Sequence, residues 1–163
     1  MSRGRWGAGA LLLLLGFPAS TLAAQGRRMI GEWGLHSTLT ASNDGPIGLV
    51  AGPRAALRAL GGTRVAISVG AGIRGDKTSA RGEAALEYVL SPRLAGRTSV
   101  YIGGGLAGVV GGGKGGYLMA YAGLERSPGL PAGWALEAGL GGGFRVRAAY
   151  HWRHFPKGWI PRK

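Results

Sequence analysis

Along much of this chain, apolar and polar positions alternate with a period of two. In the last such stretch Phe144, Val146, Ala148, Tyr150 and Trp152 share one face, and Arg145, Arg147, Ala149, His151 and Arg153 share the other. A period of two is the side-chain repeat of a β-strand. Segments of this kind recur at roughly 30–40, 46–58, 63–73, 80–90, 98–109, 116–126, 133–141 and 143–153, each bounded by Gly, Pro, Ser, Asn or Asp. Each has the length of a tilted membrane strand. The short connections imply antiparallel neighbours in up-and-down order. A soluble sheet seldom puts bulky apolar residues on its solvent face, whereas a barrel in lipid carries them outward and its polar residues inward. The pattern therefore predicts an all-β, eight-stranded, antiparallel up-and-down membrane barrel.

The predicted outward face carries Trp33, Leu35, Leu39, Leu57, Val65, Ile67, Val69, Leu86, Tyr88, Leu90, Val100, Ile102, Leu106, Leu118, Leu124, Trp134, Leu136 and Leu140, with alanines between, and no charge. The predicted inward face carries a charge network of Glu32, Arg54, Arg58, Arg64, Arg81, Glu83, Glu87, Glu137, Arg145 and Arg147. His36, Ser68, Tyr101, Tyr117, Tyr121 and His151 join it. Large polar side chains beside glycine and alanine suit the filled interior of an eight-stranded barrel. Alternating strand directions bring Trp33, Tyr88, Trp134 and Trp152 to one end, all outward, as an interfacial aromatic girdle requires.

Two segments also fit a helix. Pro53 to Leu60, followed by Gly61-Gly62, has proline at its start and glycine at its stop. Glu83 to Leu90 is rich in helix formers, with Glu83 and Glu87 four apart. If the first is helical, the strand count falls to seven and the simple barrel fails.

The N-terminus changes the picture of location. Arg3 and Arg5 precede an apolar run from Ala8 to Phe17, and Thr21-Leu22-Ala23-Ala24 offers a small-residue cleavage site. This is a signal-peptide pattern over 1–24, too short and too soon broken by Pro18 to read as a membrane anchor. A barrel domain over 25–155 and a basic tail over 156–163 complete the expected organisation. There is no cysteine. That excludes disulfides and thiol catalysis.

The formal charge is +13. Without Arg3 and Arg5, 18 basic residues face 7 acidic ones, a net +11. The arginines are dispersed among segments and not clustered in runs, so nucleic acid is not the expected partner. The 34 glycines are about three times ordinary usage. They show no Gly-X-Y repeat, and many lie inside the alternating segments, where they permit curvature and close backbone approach.

With the signal peptide, the eight segments and the closing Phe144-x-Val146-x-Ala148-x-Tyr150-x-Trp152, the chain resembles the small outer-membrane β-barrels of the OmpA and OmpX type. The resemblance spans about residues 28 to 155 as a pattern, with no shared residue-specific motif. It implies the outer membrane of a Gram-negative-type bacterium, membrane lipids as surroundings, and a last strand offered to the barrel-assembly machinery. Two features depart from it. Trp152 is followed by a tail from Arg153 to Lys163, whereas the usual terminal aromatic ends the chain. The connections 91–97 and 127–132, on the side where such barrels have short turns, are as long as those on the other side.

No catalytic constellation emerges. Barrel enzymes that hydrolyse lipid A use His and Ser two residues apart, whereas His36 and Ser37 are adjacent and face opposite sides. Glu83 and Glu87 share a face with Arg81, so ion pairing is expected there and not a metal. The glycine run around Lys114 lacks P-loop spacing and the following Ser or Thr. No cofactor is implied. The expected role is structural or interactive, without an open pore. A soluble periplasmic barrel with a small apolar ligand and, further off, a lipid-modifying barrel enzyme are the alternatives. The sequence leaves open whether the barrel pairs with itself.

Overall fold

The computed structural model describes residues 29–42, 45–113 and 115–162. The segment 1–24 read as a signal peptide, together with Asn43, Asp44 and Lys114, lies outside them. The described residues form strands β1 (Met29–Ser42), β2 (Gly45–Ala59), β3 (Thr63–Arg74), β4 (Lys77–Val89), β5 (Thr98–Gly111), β6 (Gly115–Arg126), β7 (Ala132–Leu140) and β8 (Phe144–His154). Each pairs antiparallel with the next, and β8 pairs antiparallel with β1, closing an eight-stranded barrel. Closure removes every sheet edge, as a chain in lipid requires of its backbone polar groups.

The strands start or stop within three residues of the segments read from the pattern. The largest difference is β4, which begins at Lys77. Both helix-compatible segments are strands. In β2, Arg54, Ala56 and Arg58 are buried while Ala55 and Leu57 are exposed. A helix would also set Arg54 and Arg58 on one face, but it would turn Ala56, buried here between them, to the opposite side. Pro53 is accommodated locally: the β2–β3 ladder pairs Ala51 with Ala71 and Arg54 with Ser68, and is interrupted at Gly52 and Pro53. Proline has no N–H to donate there.

The two ends differ. At the distal rim, β3–β4 and β7–β8 turn tightly. Gly142 and Gly143 have φ of 79° and 123° in the β7–β8 turn, a left-handed conformation that a side chain disfavours. At the basal rim, where β1 begins and β8 ends, residues 90–97, residues 127–131 and the tail after His154 fold over the mouth. Arg162 N donates to Arg93 O and Ala95 N donates to Arg162 O, both at 2.7 Å, so the tail adds a short parallel bridge to the β4–β5 connection. Gly129 N donates to Leu94 O at 2.8 Å, and the Trp159 indole donates to Gly129 O at 3.0 Å. Phe155 and Trp159 stack with ring centroids 4.8 Å apart. The unusual length of the basal connections and tail thus has a structural use, as a cover over the mouth.

Candidate functional site

Burial alternates along every strand, and it runs inside out. The outward positions are bulky and exposed, with Leu118 81% and Ile67 61% accessible. Among the described residues, exposed charged side chains occur only at strand ends and beyond, at Asp76, Lys77, Arg97, Arg126, His154, Lys157 and Arg162. From Val65 to Ile73 the apolar face of β3 extends about 27 Å at ~3.4 Å per residue. A tilt of about 40° reduces this to about 21 Å along the barrel axis, close to the apolar band of a membrane barrel.

Of the residues read as a girdle, Trp33, Tyr88 and Trp134 are exposed at the basal end, and Trp152 is partly so. Trp33 and Trp152 are register partners across β1 and β8, and their rings stack at 4.3 Å. Tyr150 meets Trp152 edge-on at 5.0 Å and extends the aromatic surface.

The ten arginines and glutamates read as lumenal are all buried. They fall into two clusters. In the basal cluster, Arg64 binds three carboxylates: Glu87 through Nε at 2.5 Å, and Glu32 and Glu125 through Nη1 at 3.0 and 2.9 Å. Arg54 reaches Glu87 at 2.6 Å, Arg58 reaches Glu32 at 2.9 Å, and Arg153 reaches Glu125 at 2.5 Å. Arg58 also donates to the carbonyl of Pro128, 2.6 Å away, which ties the lumen to the basal cover. In the distal cluster, Glu83 accepts from Arg81 at 2.5 Å and from Arg147. Glu137 pairs with Arg145 at 2.5 Å and Arg147 at 3.2 Å. Arg147 Nε donates to Thr38 Oγ1 at 2.8 Å.

Two residues escaped the sequence reading of this network. Glu125 and Arg153 are fully engaged in it, and the signal for both was parity. Glu125 continues the inward series Tyr117, Tyr121, and Arg153 continues Arg145, Arg147, His151.

Tyr101 and Tyr121 join the clusters. Tyr101 donates to Glu137 at 2.9 Å and Tyr121 to Glu87 at 2.7 Å. Their rings meet edge-on, with centroids 6.4 Å apart. Arg64 lies over Tyr101 at 5.1 Å and Arg145 over Tyr121 at 4.8 Å, within cation–π range. Each ring lies against a glycine on the neighbouring strand: Tyr101 is the register partner of Gly123, and Tyr121 of Gly103. A Cβ on Gly103 would lie 2.7 Å from the Tyr121 ring. These glycines are therefore space for tyrosines.

Glu32, Glu125 and His151 offer ligand atoms within 4.8 Å of one another. The two carboxylates already carry Arg58, Arg64 and Arg153. A divalent cation added there would face three guanidinium groups, so the donor set suits ion pairing and not a metal. Among the described lumenal residues each cluster has one guanidinium more than it has carboxylates: Arg54, Arg58, Arg64 and Arg153 against Glu32, Glu87 and Glu125, and Arg81, Arg145 and Arg147 against Glu83 and Glu137.

No protein-family model and no curated protein matches the sequence. Two solved structures resemble the fold. The N-terminal β-barrel domain of Pseudomonas aeruginosa OprF superposes with a TM-score of 0.58 at 13% identity, covering 78% of this chain and 98% of that one. The solution structure of the de novo designed TMB2.3 gives a TM-score of 0.45 at 15% identity, covering 79% and 96%. The closed antiparallel barrel and the OprF superposition give this chain the fold of the small OmpA- and OmpX-type barrels.

Proposed function

We propose that this chain is an outer-membrane barrel of a Gram-negative-type bacterium, with a packed polar interior that does not conduct and a structural or interaction role. The observation that carries the reading is a set of ion pairs spanning the lumen. Arg147 on β8 reaches Glu83 on β4, the strand diametrically opposite, and Arg64 on β3 reaches Glu125 on β6. Such pairs block the axis at two levels, where a porin would keep water. An eight-stranded barrel is just wide enough for its side chains to do this.

The apolar belt with charges confined to the rims supports a membrane setting. The lumen of arginine and glutamate is the wrong lining for a small apolar ligand, which argues against the soluble periplasmic alternative. His151 and His36 are buried inside this network, out of reach of a lipid surface, so the role we propose is not enzymatic. Partners on this reading are membrane lipids and, through β8, the barrel-assembly machinery.

The test has two readouts. The native protein should require detergent and migrate differently on gels before and after boiling. In planar bilayers it should show no porin-like conductance. Solubility without detergent, or steady channels of porin size, would overturn the proposal.

A further inference from the structure

One recess is formed where the apolar belt meets the basal cover. It has a volume of about 310 Å³ and is lined by Leu60, Leu90, Pro92, Arg93, Leu94 and Arg162. Residues far apart in sequence build it. The β2–β3 turn supplies Leu60, the β4–β5 connection supplies Arg93, and backbone pairing of the tail with that connection brings in Arg162.

The chemistry of the lining is divided. Leu90 is exposed and continues the lipid-facing belt of β4. Two guanidinium groups stand at the other side. Arg93 is placed over the Trp159 ring at 5.4 Å, and that ring is itself anchored by its hydrogen bond to Gly129 O. Among the described residues no salt bridge engages Arg93 or Arg162, and no acidic side chain is exposed at this rim. The five glutamates are buried in the lumen and Asp76 lies in the distal β3–β4 turn. Arg97, Arg126 and Lys157 add further positive charge around the same rim.

We propose that this recess binds the headgroup of an anionic glycerophospholipid, with Arg93 and Arg162 on its phosphate and an acyl chain along Leu60 and Leu90. Guanidinium groups suit phosphate oxygens because they present paired donors in a planar fork. The leucines suit the chain that a lipid carries and a free phosphate lacks. A net negative headgroup is favoured because a choline would face two arginines. The inference rests on the membrane reading above.

The test is lipid retention by the intact folded protein in detergent, read by native mass spectrometry with phosphatidylglycerol and phosphatidylcholine of equal chain length. Phosphatidylglycerol should be retained preferentially. Arg93→Gln and Arg162→Gln should each weaken retention about fivefold, the change given by about 1 kcal/mol per basic residue. The tail is held by backbone hydrogen bonds, so both variants should keep the gel shift on boiling. Arg126→Gln/Lys157→Gln removes two charges from the same rim and should leave retention unchanged.

Equal loss in that control would reduce the effect to a diffuse field and overturn the site. Displacement of the lipid by inorganic phosphate at equal concentration would make it a free-anion site and overturn the lipid assignment. A parent protein that inserts into bilayers but retains both lipids alike overturns the recess and leaves the membrane reading standing. A parent that stays in solution without detergent overturns the membrane reading itself.

Discussion

Glu83 is the strongest point at which to perturb the lumen. It accepts from Arg81 and Arg147, lies 3.6 Å from Arg145, and has Ser68 Oγ at 3.5 Å. Glu83→Gln keeps the shape and removes the charge. Arg81, Arg145 and Arg147 would then share Glu137 alone. Removing one partner of a buried ion pair costs on the order of 3–5 kcal/mol, because the remaining charge stays desolvated. With an m-value of about 2 kcal/mol/M in urea, the unfolding midpoint should fall by about 2 M. Asp76→Asn, at an exposed turn, should stay within about 0.5 kcal/mol of the parent. The assay is urea unfolding from lipid vesicles, followed by tryptophan fluorescence. Glu83→Gln/Arg147→Gln should lose less than the two single losses combined, since each residue's chief partner is then already gone. If Glu83→Gln and Asp76→Asn both unfold at the parental midpoint, the carboxylate does not hold the distal cluster and the lumenal argument fails.

Other consequences follow from the same geometry. On the membrane reading, Ile67→Arg places a charge on the exposed apolar face and should cost about 2–4 kcal/mol in vesicle unfolding; a parental midpoint would refute lipid contact at β3. Gly123→Ala would drive a Cβ into the Tyr101 ring and should cost about 1–3 kcal/mol by overpacking. Gly82→Ala, with nothing within 4 Å of the added carbon, should be tolerated, and equal thermal midpoints for the two would show that Tyr101 is free to move. Deleting the chain after His154 removes the backbone partners of residues 93 and 95. The barrel should still form, but trypsin should cut at Arg93 and Arg97 faster than in the parent; unchanged cleavage would mean the tail does not cover this connection.

Much of the barrel was legible because alternation is a property of single strands. The faces of β3, β4 and β8 could be read residue by residue. The segment from Pro53 to Leu60 was ambiguous because alanine, leucine and arginine favour a helix locally, and only the carboxylates of Glu32 and Glu87 decide otherwise. Those partners lie on other strands. For the same reason the pattern named lumenal charges without showing which of them meet across the axis. Strand order alone sets Glu137 on β7 beside Arg145 and Arg147 on β8, but nothing in it shows Arg147 crossing to Glu83. The docking of the tail was illegible. It rests on backbone hydrogen bonds between residues 93–95 and 162, which carry no side-chain signature, and on a Trp159 indole whose acceptor, Gly129 O, lies on a distant connection.

The inside-out arrangement also explains how one register is chosen. On the membrane reading proposed above, the apolar outer face gains little by contact with any particular neighbour, because the surrounding chains are equally apolar. The β-ladder alone is nearly indifferent to a shift along the strand. Side chains are not, since a one-residue slip turns every lumenal residue outward. For β8 that would put Arg147 near the middle of the belt, at about 2–4 kcal/mol, with smaller costs of about 0–1 kcal/mol each for Arg145 and Arg153 nearer the rims. The sum is comparable with much of the 5–15 kcal/mol that typically separates folded from unfolded chains. The slip would also forfeit the pairs from Arg147 to Glu83 and from Arg153 to Glu125. On β5 and β6 a one-residue slip would move Tyr101 off Gly123 and Tyr121 off Gly103. On that reading register is set from the lumen, by charges that lipid rejects and by rings that fit only over glycine.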